Sequence, residues 1–222
     1  MLIKEIIQLI KEEYNKGVAS DDSRLSNRFI YFKMLSVRNL LLKRKKNAKQ
    51  QLSMQDVTDM CLKMKEVDGI DCCDFIGSCN INRSVKKIPK ILSSLYGDMI
   101  VNVSGVNYKR KIFKIDISQL PYVNTFKYAK NTAKYFISDN YLYMIGKDLP
   151  EQVRLKAVLE NPLDKINCDN IDTEESCKSY LDLDFPIDGS DVHDIVTLTV
   201  KEIFETLKNS KEDKINNTSN EN

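Results

Sequence analysis

The chain is expected to fold as an α+β protein: N-terminal helices and a C-terminal helix packed as a bundle, with a β-rich middle of several short antiparallel strands. Three observations lead there. Apolar residues recur at helical spacing near both ends, in Leu2, Ile3, Ile6, Ile7, Leu9, Ile10 and Tyr14 and again in Val192, Ile195, Val196, Thr199, Ile203, Phe204 and Leu207. Between them lie short β-branched and aromatic runs punctuated by turn residues. Hydrophobic residues make up 42% of 222 positions, enough to bury a core.

The elements follow in order. A first amphipathic helix covers residues 2–15 and stops at Gly17, and Ser20, Asp21 and Asp22 form a start signal for the next. That second helix runs from about Arg24 to near Lys46, with Ile30, Met34, Val37 and Leu41 as its apolar stripe. Residues 1–52 therefore form an N-terminal helical part, and 53–162 a β-rich middle. Within the middle, 56–66 reads as helix or strand, with strand favoured, and 84–117 as several short strands. Residues 121–131 fit a short helix or a loop. The clearest hairpin is KYFISDNYLYMI, where Tyr135–Ser138 and Tyr141–Ile145 alternate around Asp139-Asn140, a pair that tolerates positive φ. Gln152–Leu159 makes a further strand, closed by Asn161-Pro162. An acidic loop (163–189), a C-terminal helix packing on the N-terminal ones (190–208) and a polar, disordered tail (209–222) complete the chain.

Composition excludes several functions. Lys+Arg 34 against Asp+Glu 32 leaves a net charge of only +2, unlike the basic surplus of a dedicated nucleic-acid binder. No apolar run approaches the roughly 20 residues that span a bilayer, and charges interrupt the first helix as they would not in a signal peptide, so a soluble, unexported chain is expected. In such a chain the six cysteines (Cys61, Cys72, Cys73, Cys79, Cys168, Cys177) are by default reduced, mostly buried thiols. A disulfide between Cys168 and Cys177 is geometrically possible across a loop, depending on exposure to oxidant. Cys72-Cys73-x5-Cys79 with Cys61 lacks the CxxC spacing of a zinc knuckle, and no metal or other cofactor is expected. The single histidine, His193, belongs to no triad, and phosphate-loop, dinucleotide and zinc-protease motifs are absent. No catalytic residue is assigned, and the chain is not expected to be an enzyme.

Charge is segregated along the sequence. Residues 24–49 hold nine cations (Arg24, Arg28, Lys33, Arg38, Lys43, Arg44, Lys45, Lys46, Lys49) and no acid. At about 100° per residue, Arg24, Arg28 and Arg38 fall within about 80° of one another on a helix. From Glu160 to Asp194 eleven acids face only Lys165 and Lys178. One subunit's acidic loop meeting the next subunit's basic helix is what a head-to-tail ring can use. Equally, the two segments serve solubility or meet within one chain.

The run KGVASDDSRLSNRFIYFKMLSVRNLLLKRK (16–45) resembles the N-terminal helical signature of neck and tail structural proteins of crAss-like, short-tailed Bacteroidetes phages. The likeness is carried by Ser20–Arg24, Leu25, Ser26, Arg28, Ile30, Tyr31, Lys33, Ser36, Val37, Arg38, Leu41 and Leu42. Weaker echoes are the stretch Cys72–Pro89, the acidic Glu160-Asn161-Pro162 and the ending DFPIDGSDVHDIVTLTVKEIF. The cysteine region departs from that group, where a proline-richer, more regularly spaced cluster is expected. The resemblance implies a virion subunit, made in the host cytoplasm, that forms a dodecameric head-to-tail connector ring under the portal. Its partners would be further copies of itself, the portal protein and the next tail ring or fibre protein. DNA would pass transiently through the lumen, and no membrane is involved. Candidate interface residues are Arg24, Arg28, Tyr31 and Arg38 on the basic helix and Asp182 and Asp184 in the acidic loop. Glutamate at the three arginines is expected to abolish docking and leave the fold intact. The alternatives are a nucleic-acid-binding phage protein using helix 24–49 and a small phage nuclease.

Overall fold

Ile3, Ile6, Ile7 and Ile10 share one face of an α-helix and must be covered, and they are the buried face of α1 (Ile3–Tyr14). The computed structural model describes residues 1–16, 25–67, 81–107, 111–122, 132–146, 148–165 and 179–218. The expected helix stop at Gly17 and the start signal at Ser20–Asp22 lie outside these residues, as do 123–131 and residues 166–178 of the acidic loop. The fold is α+β, as expected, and the chain divides into two compact units, Met1–Asp56 with Thr173–Asn222, and Val57–Asp172.

In the helical unit, α2 (Asn27–Asn47) starts where Ser26 Oγ accepts from the Phe29 amide at 3.2 Å, three residues beyond the expected start. Its buried face is Ile30, Tyr31, Met34, Val37, Arg38 and Leu42; Leu41, assigned to the stripe from the sequence, is only half-buried. The last helix, α3 (Val192–Thr218), packs on both others. Lys33 Nζ donates to Thr206 Oγ1 at 2.9 Å while Lys45 pairs with Asp191, so α2 and α3 run antiparallel. Ile195, Val196, Thr199, Val200 and Ile203 are buried, whereas Phe204 is exposed and stacks on Tyr14 at 4.8 Å. α3 also continues past Asn209 to Thr218, where the sequence reading places a disordered tail. Once a helix is nucleated, each further residue costs only propagation, and Lys and Glu propagate well.

The second unit is a seven-stranded sheet in the order β5-β9-β1-β2-β8-β7-β6, with a separate two-stranded hairpin. The strands are β1 (Thr58–Val67), β2 (Ile81–Ser84), β5 (Ile100–Gly105), β6 (Phe113–Lys114), β7 (Lys134–Ser138), β8 (Tyr141–Ile145) and β9 (Gln152–Ala157); β3 (Ser93–Ser94) and β4 (Gly97–Asp98) form the hairpin. Among the described strands, only the short β6–β7 pair is parallel. The ambiguous segment 56–66 is thus a strand, and Met60, Leu62 and Met64 alternate into the core opposite Leu155 and Val153 of β9. Ser104 bridges to Lys111, and the Ile112 amide donates to Val103 O at 2.8 Å. Residues 111–112 lead directly into β6, so one run of chain joins the two ends of the sheet and curls it like a barrel around an apolar interior.

The β7–β8 hairpin forms as expected, with Asp139 and Asn140 at φ +49 and +63, a type I′ pair. Its burial does not alternate, however. Tyr135, Leu142 and Met144 face the interior, while Phe136 and Tyr143 stack at 5.0 Å on the other face with Ile81 and Ile115. Leu120, from a 3-10 turn at Ile117–Tyr122, packs against that second cluster, so both faces are covered.

Asn140 tests the turn. Valine there must hold a left-handed backbone with a branched Cβ, and Asn140→Val is expected to cost about 1–2 kcal/mol in urea denaturation, whereas Asn140→Gly keeps full stability.

Candidate functional site

The two charged segments meet within the helical unit, and most of the expected interface residues are spent there. Arg38 is 0% exposed. Its Nε donates to Pro186 O at 2.9 Å, Nη2 to Asp56 O at 3.3 Å and Nη1 to Asn39 Oδ1 at 3.2 Å, and its guanidinium lies 5.9 Å from the Phe185 ring centre. Burial pulls its pKa down to about 10, against the opposing pull of Asp56. Asp56 is equally buried and accepts the Asp188 amide on Oδ1 and the Ser53 amide on Oδ2, both at 3.1 Å. Burial pushes this carboxyl above its usual range, and the two amides and Lys45 work the other way. Burial also works against the Lys45 ammonium, but its bond to Asp191 prevails and raises its pKa.

The segment from Tyr180 to Asp188 is laid along the helices like a strap. The Ile3 amide donates to Leu183 O and the Phe185 amide to Met1 O, both at 2.9 Å. Asp182 accepts from Lys4 Nζ at 2.8 Å, which raises the lysine's pKa, and Asp184 lies 3.5 Å from the terminal ammonium. Phe185 and Ile187 are buried beneath. Tyr31, also buried, meets Tyr180 edge-on at 5.6 Å. Arg38 and Tyr31 are therefore structural in this chain, and glutamate at 38 would not leave the fold intact. Arg24 lies outside the described residues. Arg28 alone of the described arginines proposed is on the surface, its guanidinium 5.8 Å from the Phe32 ring centre.

What remains exposed on α2 is a second stripe at steps of four: Arg28, Phe32 (54% exposed), Ser36, Leu40 (40%) and Arg44. Among the described residues, no carboxylate pairs with Arg28 or Arg44. Elsewhere on the same unit, Leu9, Val192 and Val196 floor a groove of about 430 Å³ whose rim carries Glu12, Glu13 and His193. Sequence reasoning missed both features. The step-of-four spacing from Arg28 to Arg44 is a signal in the sequence, but which of two adjacent stripes stays exposed depends on where α1 and α3 pack.

In the β unit, the β3–β4 tip displays Leu95 and Tyr96 to solvent. Cys61 is disulfide-bonded, which corrects the expectation of reduced thiols; that expectation rested on compartment alone, not on chain geometry. The other five cysteines, including the Cys168–Cys177 pair, lie outside the described residues. Among the described residues no His, Cys, Asp or Glu group is arranged to hold a metal, and no helix is long and apolar enough to cross a membrane.

The family model described as phage tail ring protein 2 (CrAss_Ring_2) matches residues 5–222. No curated protein matches the chain.

Two substitutions separate structural from surface roles. Arg38→Ala strands the buried Asp56 carbonyl and the half-buried Pro186 carbonyl and is expected to cost about 3–5 kcal/mol in urea denaturation, against about 0.5 kcal/mol or less for Arg28→Ala. The third concerns pH. Asp188 accepts from the Ser190 amide at 3.0 Å and its pKa is held below the ordinary 3.8. The stability it contributes is complete above the unfolded pKa and is lost as pH falls through the lowered folded value. Asn keeps the cap but not the charge. Asp188→Asn should therefore lower Tm at neutral pH, and the gap to wild type should close as the pH falls below the ordinary aspartate range.

Proposed function

The chain belongs to the phage tail ring protein 2 family, and from that premise we propose that it is the connector ring between portal and tail, through whose lumen the genome passes. It is a structural ring protein of a phage tail, and so a component of the virion. What supports a wholly structural subunit is the extent of the match. It runs through both compact units, so neither is left over for a separate activity. A scaffold of this kind needs no catalysis, which supports a non-enzymatic role.

In this reading the subunit is one of twelve under the portal. The helical unit faces the portal or the neighbouring subunit, and the β-rich unit meets the next tail ring or a fibre. Asp182 and Asp184 bind basic groups of their own chain, so any part they take in subunit contacts falls to the carboxylate oxygens left exposed. Arg28, and Arg24 by extension of the same charge run, remain the arginines for intermolecular contact. A lumen that passes DNA has to avoid strong phosphate contacts, which oppose sliding, and a net charge of +2 suits that requirement. The nucleic-acid-binding alternative loses ground because Lys33, Arg38 and Lys45 of α2 are engaged inside the unit.

Light scattering of the purified protein, alone and with the portal protein of the same phage, tests the proposal. A ring, or a subunit that joins the portal in fixed stoichiometry, is the expected result. A monomer indifferent to the portal would overturn it, and salt-dependent binding of short duplex DNA at micromolar concentration would then favour the alternative.

A further inference from the structure

We infer that adjacent copies of this chain join through the helical unit, the exposed stripe of α2 on one copy seating its Phe32 in the α1–α3 groove of the next. This rests on the ring reading above and assigns its contact. A closed ring of identical subunits needs a heterologous interface, two different and complementary patches on each copy. The helical unit carries such a pair on different helices.

The first patch is a ridge. Phe32 is 54% exposed in mid-helix, Leu40 is 40% exposed two turns on, and Arg28 and Arg44 flank them. No acid occurs anywhere in α2. The second patch is concave, with Leu9 (40% exposed), Val192 and Val196 as an apolar floor and Glu12 and Glu13 on the rim. Its volume of about 430 Å³ accommodates an aromatic side chain with space to spare for its neighbours.

The charges match in sign and in place. Arg28 lies over the Phe32 ring, so a ring entering the groove carries a guanidinium to the rim where Glu12 and Glu13 stand. Glu12 already accepts from Gln8 Nε2 at 2.9 Å, which fixes its carboxylate and leaves oxygen lone pairs for a forked donor. Among the described residues neither glutamate is paired with a cation of its own chain. An aromatic anchor beside an arginine is the composition from which interface hot spots are built. A second copy is therefore the occupant that the charge pattern selects, since each patch supplies what the other lacks.

The test uses the full chain in its assembled form, in solution or on the portal. Phe32→Asp spoils the ridge and Leu9→Asp the groove. Both positions are solvent-exposed, so circular dichroism and Tm should match wild type. Each variant alone should self-associate about tenfold or more weakly. Mixed in equal amounts, they should form heterodimers and nothing larger, because each retains the one sound patch the other needs. Arg28→Glu should weaken assembly in the same way, and Glu12→Lys with Glu13→Lys in the same chain should restore it.

Wild-type rings with both aspartate variants assembling normally would overturn this contact and leave the ring reading standing. So would a mixture that stays monomeric while the charge swap fails to rescue. Wild-type protein that is monomeric both alone and with the portal would overturn both readings together.

Discussion

A guanidinium shut away from water has to find acceptors for its donors, and the helical unit is organised around how Arg38 does so. Its partners are carbonyls of Asp56 and Pro186, from segments far apart in the sequence. Asp56 in turn fixes the Ser53 turn and the Asp188 amide, and Asp188 caps the turn that opens α3. Removing Arg38 or the Asp56 carboxylate leaves a buried polar group unmatched, so these two stand or fall together. It specifies how the strap, α2 and the start of α3 come together, a task that apolar packing alone does loosely.

The β unit solves a different problem. An open sheet of these strands would leave the edges of β5 and β6 unpaired. Joining the ends through residues 111–114 lets Met60, Leu62, Val103, Leu142, Met144, Val153 and Leu155 share one interior. The 3-10 turn then covers a second cluster around Phe136 and Tyr143, which makes β7 and β8 the strands buried on both faces.

Much of this was legible in advance, and the failures have a common cause. The face of α1 follows from the spacing of its isoleucines, the β7–β8 turn from Asp139-Asn140, and β1 from alternating Met60, Leu62 and Met64. These depend on residues close in sequence. Sequence spacing alone makes Arg38 a surface cation, because the carbonyls that satisfy it come from residues 56 and 186. The double burial of the hairpin depends on a turn at 117–122, and the disulfide at Cys61 on an oxidation state no spacing reveals. At the candidate site the charge segregation was visible, but not that Asp182 and Lys45 would find partners at home while Phe32 would not be covered.

The strap has a consequence for the order of events during synthesis. Leu183 bonds to Ile3 and Phe185 to Met1, so the helical unit is assembled from stretches on either side of the β unit. A ribosome delivers the barrel residues 57–172 in one continuous stretch, and they can fold while the rest is still being made. The N-terminal helices must wait for residues 180–203 before their isoleucines are fully covered. The groove beside α3 does not exist until then, because Val192 and Val196 line it. On the contact inferred above, a nascent chain presents the α2 stripe before the groove, so two unfinished copies would have nothing to join through.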